Sequence, residues 1–215
     1  MAQIFPRWTN NLPLYLAVGG ALVATAAVAA VWYYFSPSYT DVGYQPTQPV
    51  AYSHKLHAGE LGINCMYCHA TVDRAPSAVI PPTKVCMNCH HLVKRDSELL
   101  APIRASQATG RPMQWVRVHD LPGYAYFDHR PHIRAGVGCA TCHGRIDQEE
   151  VVTQTQPLSM SWCLDCHRNP DPYLRPESEV TNMDWSAPRN QLEIAARIKQ
   201  EKRLAPPTDC SGCHR

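Results

Sequence analysis

The chain has 215 residues and a formal net charge of +2, with 10 Cys, 11 His and 19 Pro but only 3 Phe. That length fits one or two domains, the near-neutral charge gives no sign of a nucleic-acid binder, and a negative mean hydropathy excludes a polytopic membrane protein. Three Phe beside 19 Pro leave an aromatic side-chain core short of material.

From Trp8 to Thr40 the sequence holds no Asp, Glu, Lys, Arg or His. Within that stretch Leu12–Phe35 is predicted as a helix of roughly 36 Å, long enough for a hydrocarbon core of about 30 Å. Asn10 or Asn11 is placed to cap it, Pro13 suits its first turn, and Trp32, Tyr33 and Tyr34 form an aromatic girdle at its end. Ala27-Val28-Ala29 resembles a signal-peptide cleavage site, but the apolar run is too long and ends in aromatics too bulky for a signal, so a retained anchor is expected. Arg7 precedes the span and the next basic residue is Lys55. This asymmetry favours residues 1–11 in the cytoplasm, 12–35 as the anchor across the cytoplasmic membrane and 51–215 in the periplasm. Residues 36–50, with Pro37, Pro46 and Pro49, read as an extended linker to a domain over 51–215.

All ten cysteines then fall in one pattern. The motifs are Cys65-Met66-Tyr67-Cys68-His69 (I), Cys86-Met87-Asn88-Cys89-His90 (II), Cys139-Ala140-Thr141-Cys142-His143 (III), Cys163-Leu164-Asp165-Cys166-His167 (IV) and Cys210-Ser211-Gly212-Cys213-His214 (V). Cys-x-x-Cys-His is the attachment signature of c-type haem: two thiols form thioethers to one porphyrin edge, and the adjacent imidazole becomes the proximal iron ligand. Five motifs predict five covalent haems. Paired cysteines enclosing 17 and 20 residues also suit zinc half-sites, and disulfides suit an exported domain. Neither alternative demands a histidine after every second cysteine.

Six histidines remain: His54, His57, His91, His119, His129 and His132. Low-spin electron-transfer haems need a second axial ligand. An internal repeat organises four of these residues: Tyr52-Ser53-His54-Lys55-Leu56-His57 before motif I parallels Phe127-Asp128-His129-Arg130-Pro131-His132 before motif III. Each run leads to two attachment motifs, giving two-haem modules at about 51–95 and 124–170, with a fifth haem over 205–215. Aromatic-x-His-x-x-His ahead of Cys-x-x-Cys-His resembles class III multihaem cytochromes. That resemblance implies that His54 and His129 ligate the haems of the motifs that follow them, while His57 and His132 cross to other haems. For the fifth distal ligand His119 is favoured, with His91 and Met160 as alternatives. Met66 and Met87 lie inside attachment loops, and Met113 and Met183 are weaker choices than Met160.

Regular structure is expected to be sparse. Ser97–Ala108 is predicted as a short helix using Leu99, Leu100 and Ile103, and Asn190–Leu204 as a second with Leu192, Ile194, Ala195 and Ile198 on one face. No strand pattern emerges. The fold class is therefore mainly α with much irregular structure, one N-terminal transmembrane helix, and haems serving as the core of a multihaem cytochrome domain. Five haems would bring ten propionates, about −10 in formal charge, and Arg130 and Arg134 are candidates to pair with them.

No GxSxG, HExxH or phosphate-loop motif points to chemistry beyond electron transfer, and no catalytic residue is expected. The single span, the five motifs, His119-Asp120-Leu121-Pro122 and Tyr126–His132 together resemble the pentahaem subunit of alternative complex III. That resemblance implies an electron relay between membrane quinol and a periplasmic acceptor. It also implies partners: an iron–sulfur subunit related to molybdopterin oxidoreductases, polytopic quinol-binding subunits and a monohaem cytochrome c. The alternative is a tetrahaem-type membrane quinol dehydrogenase that feeds periplasmic reductases.

Overall fold

A computed structural model describes residues 4–214. Residues 1–3 of the expected cytoplasmic segment and Arg215 of the expected fifth-haem segment lie outside the described residues. Two compact units divide the chain between Asp41 and Val42.

The first unit is built on helix α1, Leu12–Tyr34, about 35 Å long and apolar around its whole circumference. None of its residues is buried. A helix that is hydrophobic all round must be covered by something other than water, and α1 is the one helix among the described residues long and apolar enough to cross a membrane. Its start differs from the expectation. Asn11 precedes the helix but makes no side-chain cap; a 3-10 turn, Arg7–Asn11, leads in instead, and Pro13 occupies the first turn. At the far end Tyr34 and Tyr39 stack edge to face with ring centres 4.8 Å apart. Tyr39 belongs to α2, the short helix Pro37–Thr40.

The second unit does not leave all of 36–50 as a free linker. Gly43 N–H donates to the Gln154 carbonyl at 2.8 Å, and Gln154 N–H to the Tyr44 carbonyl at 3.0 Å. Gln48 exchanges two side-chain bonds with the backbone of Val116, and Val50 is buried. The prolines suggest an extended linker, but backbone bonds at Gly43 and Tyr44 and the Gln48 side chain fasten residues 43–50 down.

Short helical turns and irregular chain make up the rest. They are α3 (Cys65–Cys68), α4 (Thr83–His90), α5 (Ala101–Thr109), α6 (His129–Ala135), α7 (Cys139–His143), α8 (Met160–Arg168) and α9 (Gln191–Lys202). Among the described residues extended pairing is limited to two isolated bridges, Ala125 with His214 and Val137 with Leu174. The expected helix over 97–108 starts as a 3-10 turn, Glu98–Leu100, before becoming α5, which Gly110 ends in the left-handed conformation at φ +68°. Ile103 is buried as its spacing predicts, but Leu99 faces solvent. In α9, Ala195 and Ile198 are buried and Leu192 is exposed, because only the side facing Leu174 finds a partner.

That contact is the apolar core, and it is small: Leu174, Ala195 and Ile198, flanked by Ala135, Val137, Ile194 and Leu204. Among the described residues Leu174 is the one large side chain fully removed from solvent, and no aromatic ring is buried. A cluster of this size cannot by itself organise some 170 residues. The ordering must come from elsewhere, and the cysteine turns are distributed through the whole unit.

Candidate haem centres

Each Cys-x-x-Cys-His motif closes one helical turn. Residues three apart share a helix face, so the two thiols emerge side by side and the histidine follows on the next position. The turns are started locally. Asn64 accepts from Met66 N–H at 2.9 Å, Ser159 from Trp162 N–H at 3.3 Å and Asp209 from Gly212 N–H at 3.1 Å. All ten thiols are free and most are half-buried. Burial, with neighbouring thiols second, pushes Cys139 up to about 11 and Cys142 up to about 12.

The proximal imidazoles are oriented by the backbone. Nδ1–H donates to a carbonyl in His69 (Val79, 3.0 Å), His90 (Val93, 2.9 Å), His167 (Pro207, 2.7 Å) and His214 (Tyr124, 3.0 Å). Four of the spare histidines do the same: His57 to Ser53 at 2.8 Å, His91 to Met87 at 2.9 Å, His129 to Pro76 at 2.9 Å and His132 to Asp128 at 2.7 Å. A carbonyl can only accept, so in all eight rings the proton sits on Nδ1 and the Nε2 lone pair is left for a metal.

The rings also come in pairs. Centres are 6.1 Å apart for His57 and His90, 6.5 Å for His129 and His143, and 6.0 Å for His132 and His167. Two metal–nitrogen bonds of about 2 Å, plus about 1 Å from each ring centre to its Nε2, require about 6 Å. His54 lies within electrostatic reach of His69 and His57, and its own Nδ1 is buried without a partner. Burial lowers His54 to about 4 and His143 to about 3, and pushes His119 and His132 down as well. The buried rings are thus held neutral, the form that ligates iron. Thiol pairs, metal-ready Nε2 atoms and this spacing fit c-type haem.

The aromatic residue of each repeat fixes its two histidines. Tyr52 stacks on His57 at 4.5 Å and meets His54 edge-on at 4.8 Å; Phe127 lies against His132 at 4.6 Å and meets His129 edge-on at 4.7 Å. A match to the family described as cytochrome c7 and related cytochrome c covers residues 125–215. Residues 125–215 are thus similar to a multihaem cytochrome c domain. Over 171 residues, 79% of this chain and 69% of the relative, it is 27% identical to the multiheme cytochrome c subunit of menaquinone reductase from Nitratidesulfovibrio vulgaris Hildenborough.

The second unit does not bring every candidate ligand together. His119 meets His143 edge-on with ring centres 4.4 Å apart, and its Nε2 is buried without a partner. It therefore stands at motif III. Among the described residues no spare imidazole is in ring contact with His214, whose neighbour is Tyr124 at 6.0 Å. His91 is exposed at the end of α4, and Met160 is 62% exposed on the first turn of α8. Arg130, a candidate propionate partner, is engaged by Asp128 with contacts of 2.5 to 3.0 Å.

One residue escaped the sequence reading. Arg175 is 7% exposed, with Nη1 donating to the Asn182 carbonyl at 3.2 Å and its guanidinium 5.5 Å from the Trp185 ring centre. It packs against Gly138, directly before Cys139, where a Cβ would collide with the guanidinium. The Gly136-Val137-Gly138 spacing ahead of motif III is the trace of this in the sequence.

Proposed function

We propose that this chain is a membrane-anchored pentahaem cytochrome that carries electrons between membrane quinol and a periplasmic one-electron acceptor, as a relay subunit of an assembly like alternative complex III. The three imidazole pairs at axial spacing carry this reading. Bound haem would supply reversible one-electron storage at iron. The five thiol pairs would fix each macrocycle by its edge, His69, His90, His143, His167 and His214 would ligate from one side, and Nδ1 hydrogen bonds would hold the rings in place. His54, His57, His129 and His132 would complete four irons and leave them no open position for substrate, which supports a relay rather than a catalytic role. For the fifth distal ligand the candidates are His119, which stands beside His143 rather than His214, His91 and Met160.

Quinol oxidation releases two electrons and two protons; the electrons would enter this chain one at a time, and the protons would leave at the quinol-binding partner. The proposed partners are an iron–sulfur subunit, polytopic quinol-binding subunits and a monohaem cytochrome c. Helix α1 is proposed to span the cytoplasmic membrane with the N-terminus inside and residues 51–215 in the periplasm.

The relative's name, menaquinone reductase, supports a second reading in which electrons run the other way, into quinone. Purification in mild detergent decides between assemblies. Five haems per chain by pyridine haemochrome and co-purification with iron–sulfur and polytopic subunits are expected. Clearly fewer haems, or a lone protein that oxidises quinol, would sink the proposal. Reduction of menaquinone by a periplasmic donor, with no quinol oxidation, would favour the second direction. Near-infrared magnetic circular dichroism with a purely bis-imidazole signature would remove Met160, and H119A and H91A would separate the remaining two.

A further inference from the structure

The five attachment motifs are joined to one another in a definite order. Motif II meets motif I directly: Asn88, inside one loop, donates to the Tyr67 hydroxyl, inside the other, at 3.0 Å. His57, from the run ahead of motif I, is the ring paired with His90 of motif II. Motif I meets motif III through a shared segment. Asn64, which caps motif I, reaches the Thr181 hydroxyl at 3.3 Å, while the adjacent Val180 carbonyl accepts from Cys139 N–H at 3.0 Å.

Motif III is coupled to motif IV by a single helix. Residues 129 and 132 lie on one face of α6, and their imidazoles go to different proximal partners, His143 and His167. Motif IV is tied to motif V by the Nδ1–H of His167, which donates to the Pro207 carbonyl three residues before Cys210. Burial raises the Cys163 thiol, with Cys213 as the second cause, consistent with that step.

We infer that the haems form one unbranched wire in the order II–I–III–IV–V, so that electrons enter and leave at the haems of Cys86/Cys89 and Cys210/Cys213. The sequence order is not the spatial order: motif I is internal although it comes first in the chain. This inference rests on the pentahaem reading above. Each step moves one electron, oxidising a ferrous iron as it reduces its ferric neighbour, with no bond made or broken and no proton transferred. The terminal donor and acceptor are one-electron centres of partner proteins. Cys89 and Cys210 are the two exposed cysteines of the ten, and they belong to the two end motifs.

The test uses the full haem-loaded chain and two axial substitutions, H57M at the proposed end haem II and H132M at the proposed internal haem IV. A thioether ligand raises the potential of its iron, so that haem can be reduced alone to a diamagnetic state. EPR at that poise counts how many of the remaining ferric signals lose dipolar broadening. One signal is expected to sharpen in H57M and two in H132M. Two or more in H57M, or one in H132M, would overturn the order. Iron-edge anomalous diffraction from the unsubstituted chain gives the same answer without a variant, and any nearest-neighbour order other than II–I–III–IV–V would overturn it. A haemochrome count below five would defeat the pentahaem reading instead, before either measurement is made.

Discussion

The two aromatic-x-His-x-x-His runs place their imidazoles alike on different backbones. In the first, Lys55–Glu60 forms a π-helical turn; in the second, His129–Ala135 is the α-helix α6. The first is opened by the Ser53 hydroxyl, which accepts from Leu56 N–H at 3.0 Å, and the second by the Asp128 carboxylate, which accepts from Arg130 N–H at 2.9 Å. Yet the stacked ring in each bonds the carbonyl four residues back, and the aromatic contacts agree to within 0.1 Å. What is shared is the position of the imidazoles, and the backbone is free to differ as long as it delivers them. The one imidazole that is not matched is the first: His129 Nδ1 has the Pro76 carbonyl, whereas His54 Nδ1 is buried with no partner.

Removing the first histidine of each run tests that equivalence most severely. H54A and H129A should each open one iron, read as carbon monoxide binding to about one ferrous haem per chain. Equal titres would sustain the parallel; a variant that binds none would show that its histidine is no ligand. Truncating the aromatic residue should cost less. Y52A and F127A each lose stacking on two imidazoles at a partly exposed site, about 1–2 kcal/mol in chemical denaturation of the haem-loaded protein. A difference much larger than 1 kcal/mol between them would mean that one run depends on its ring far more than the other.

The two modules also meet at an ion-paired turn. The Arg145 guanidinium, by hydrogen bonding, holds the carboxyl of Asp147 below the usual carboxylate range, and the 146–148 turn packs against Lys55–Glu60. A depressed carboxyl contributes stability that is complete above its unfolded pKa of about 4 and is lost as pH falls through the folded value. D147N should therefore destabilise by about 1–2 kcal/mol at pH 7. The gap to the parent protein should shrink as the pH is taken below about 4. A pH-independent gap in denaturation curves would assign the effect to packing. The smallest change is expected at the helix openings: D128A should cost about 1 kcal/mol and S53A less, because the carboxylate also engages Arg130. Reversal of that ranking would break the comparison at its weakest link.

Much of the site was legible because haem attachment is a local affair. One helical turn sets the thiols and proximal histidine, so residues 65–69 or 163–167 declare themselves without reference to the rest of the chain. The repeat exposed His54, His57, His129 and His132 for the same reason: an aromatic ring and two histidines within six residues interact with one another first. The helices over 97–108 and 190–204 were visible in their periodicity, but which of their apolar residues would be covered was not. Leu99 and Leu192 fit the pattern and ended in solvent.

What the sequence determined alone was the number of attachment turns, the apolar span of α1, and the scarcity of an ordinary core. These depend on composition and on spacings within a single turn or helix. Only the tertiary structure decided which imidazoles face each other, which carbonyls hold their Nδ1 atoms, that residues 43–50 are fastened to the domain, and that His119 lies beside His143. Backbone carbonyls such as those of Pro76, Val79 and Pro207 carry no signature in a sequence, because every residue has one. Their role appears when residues 40 or 53 positions apart are brought within 3 Å.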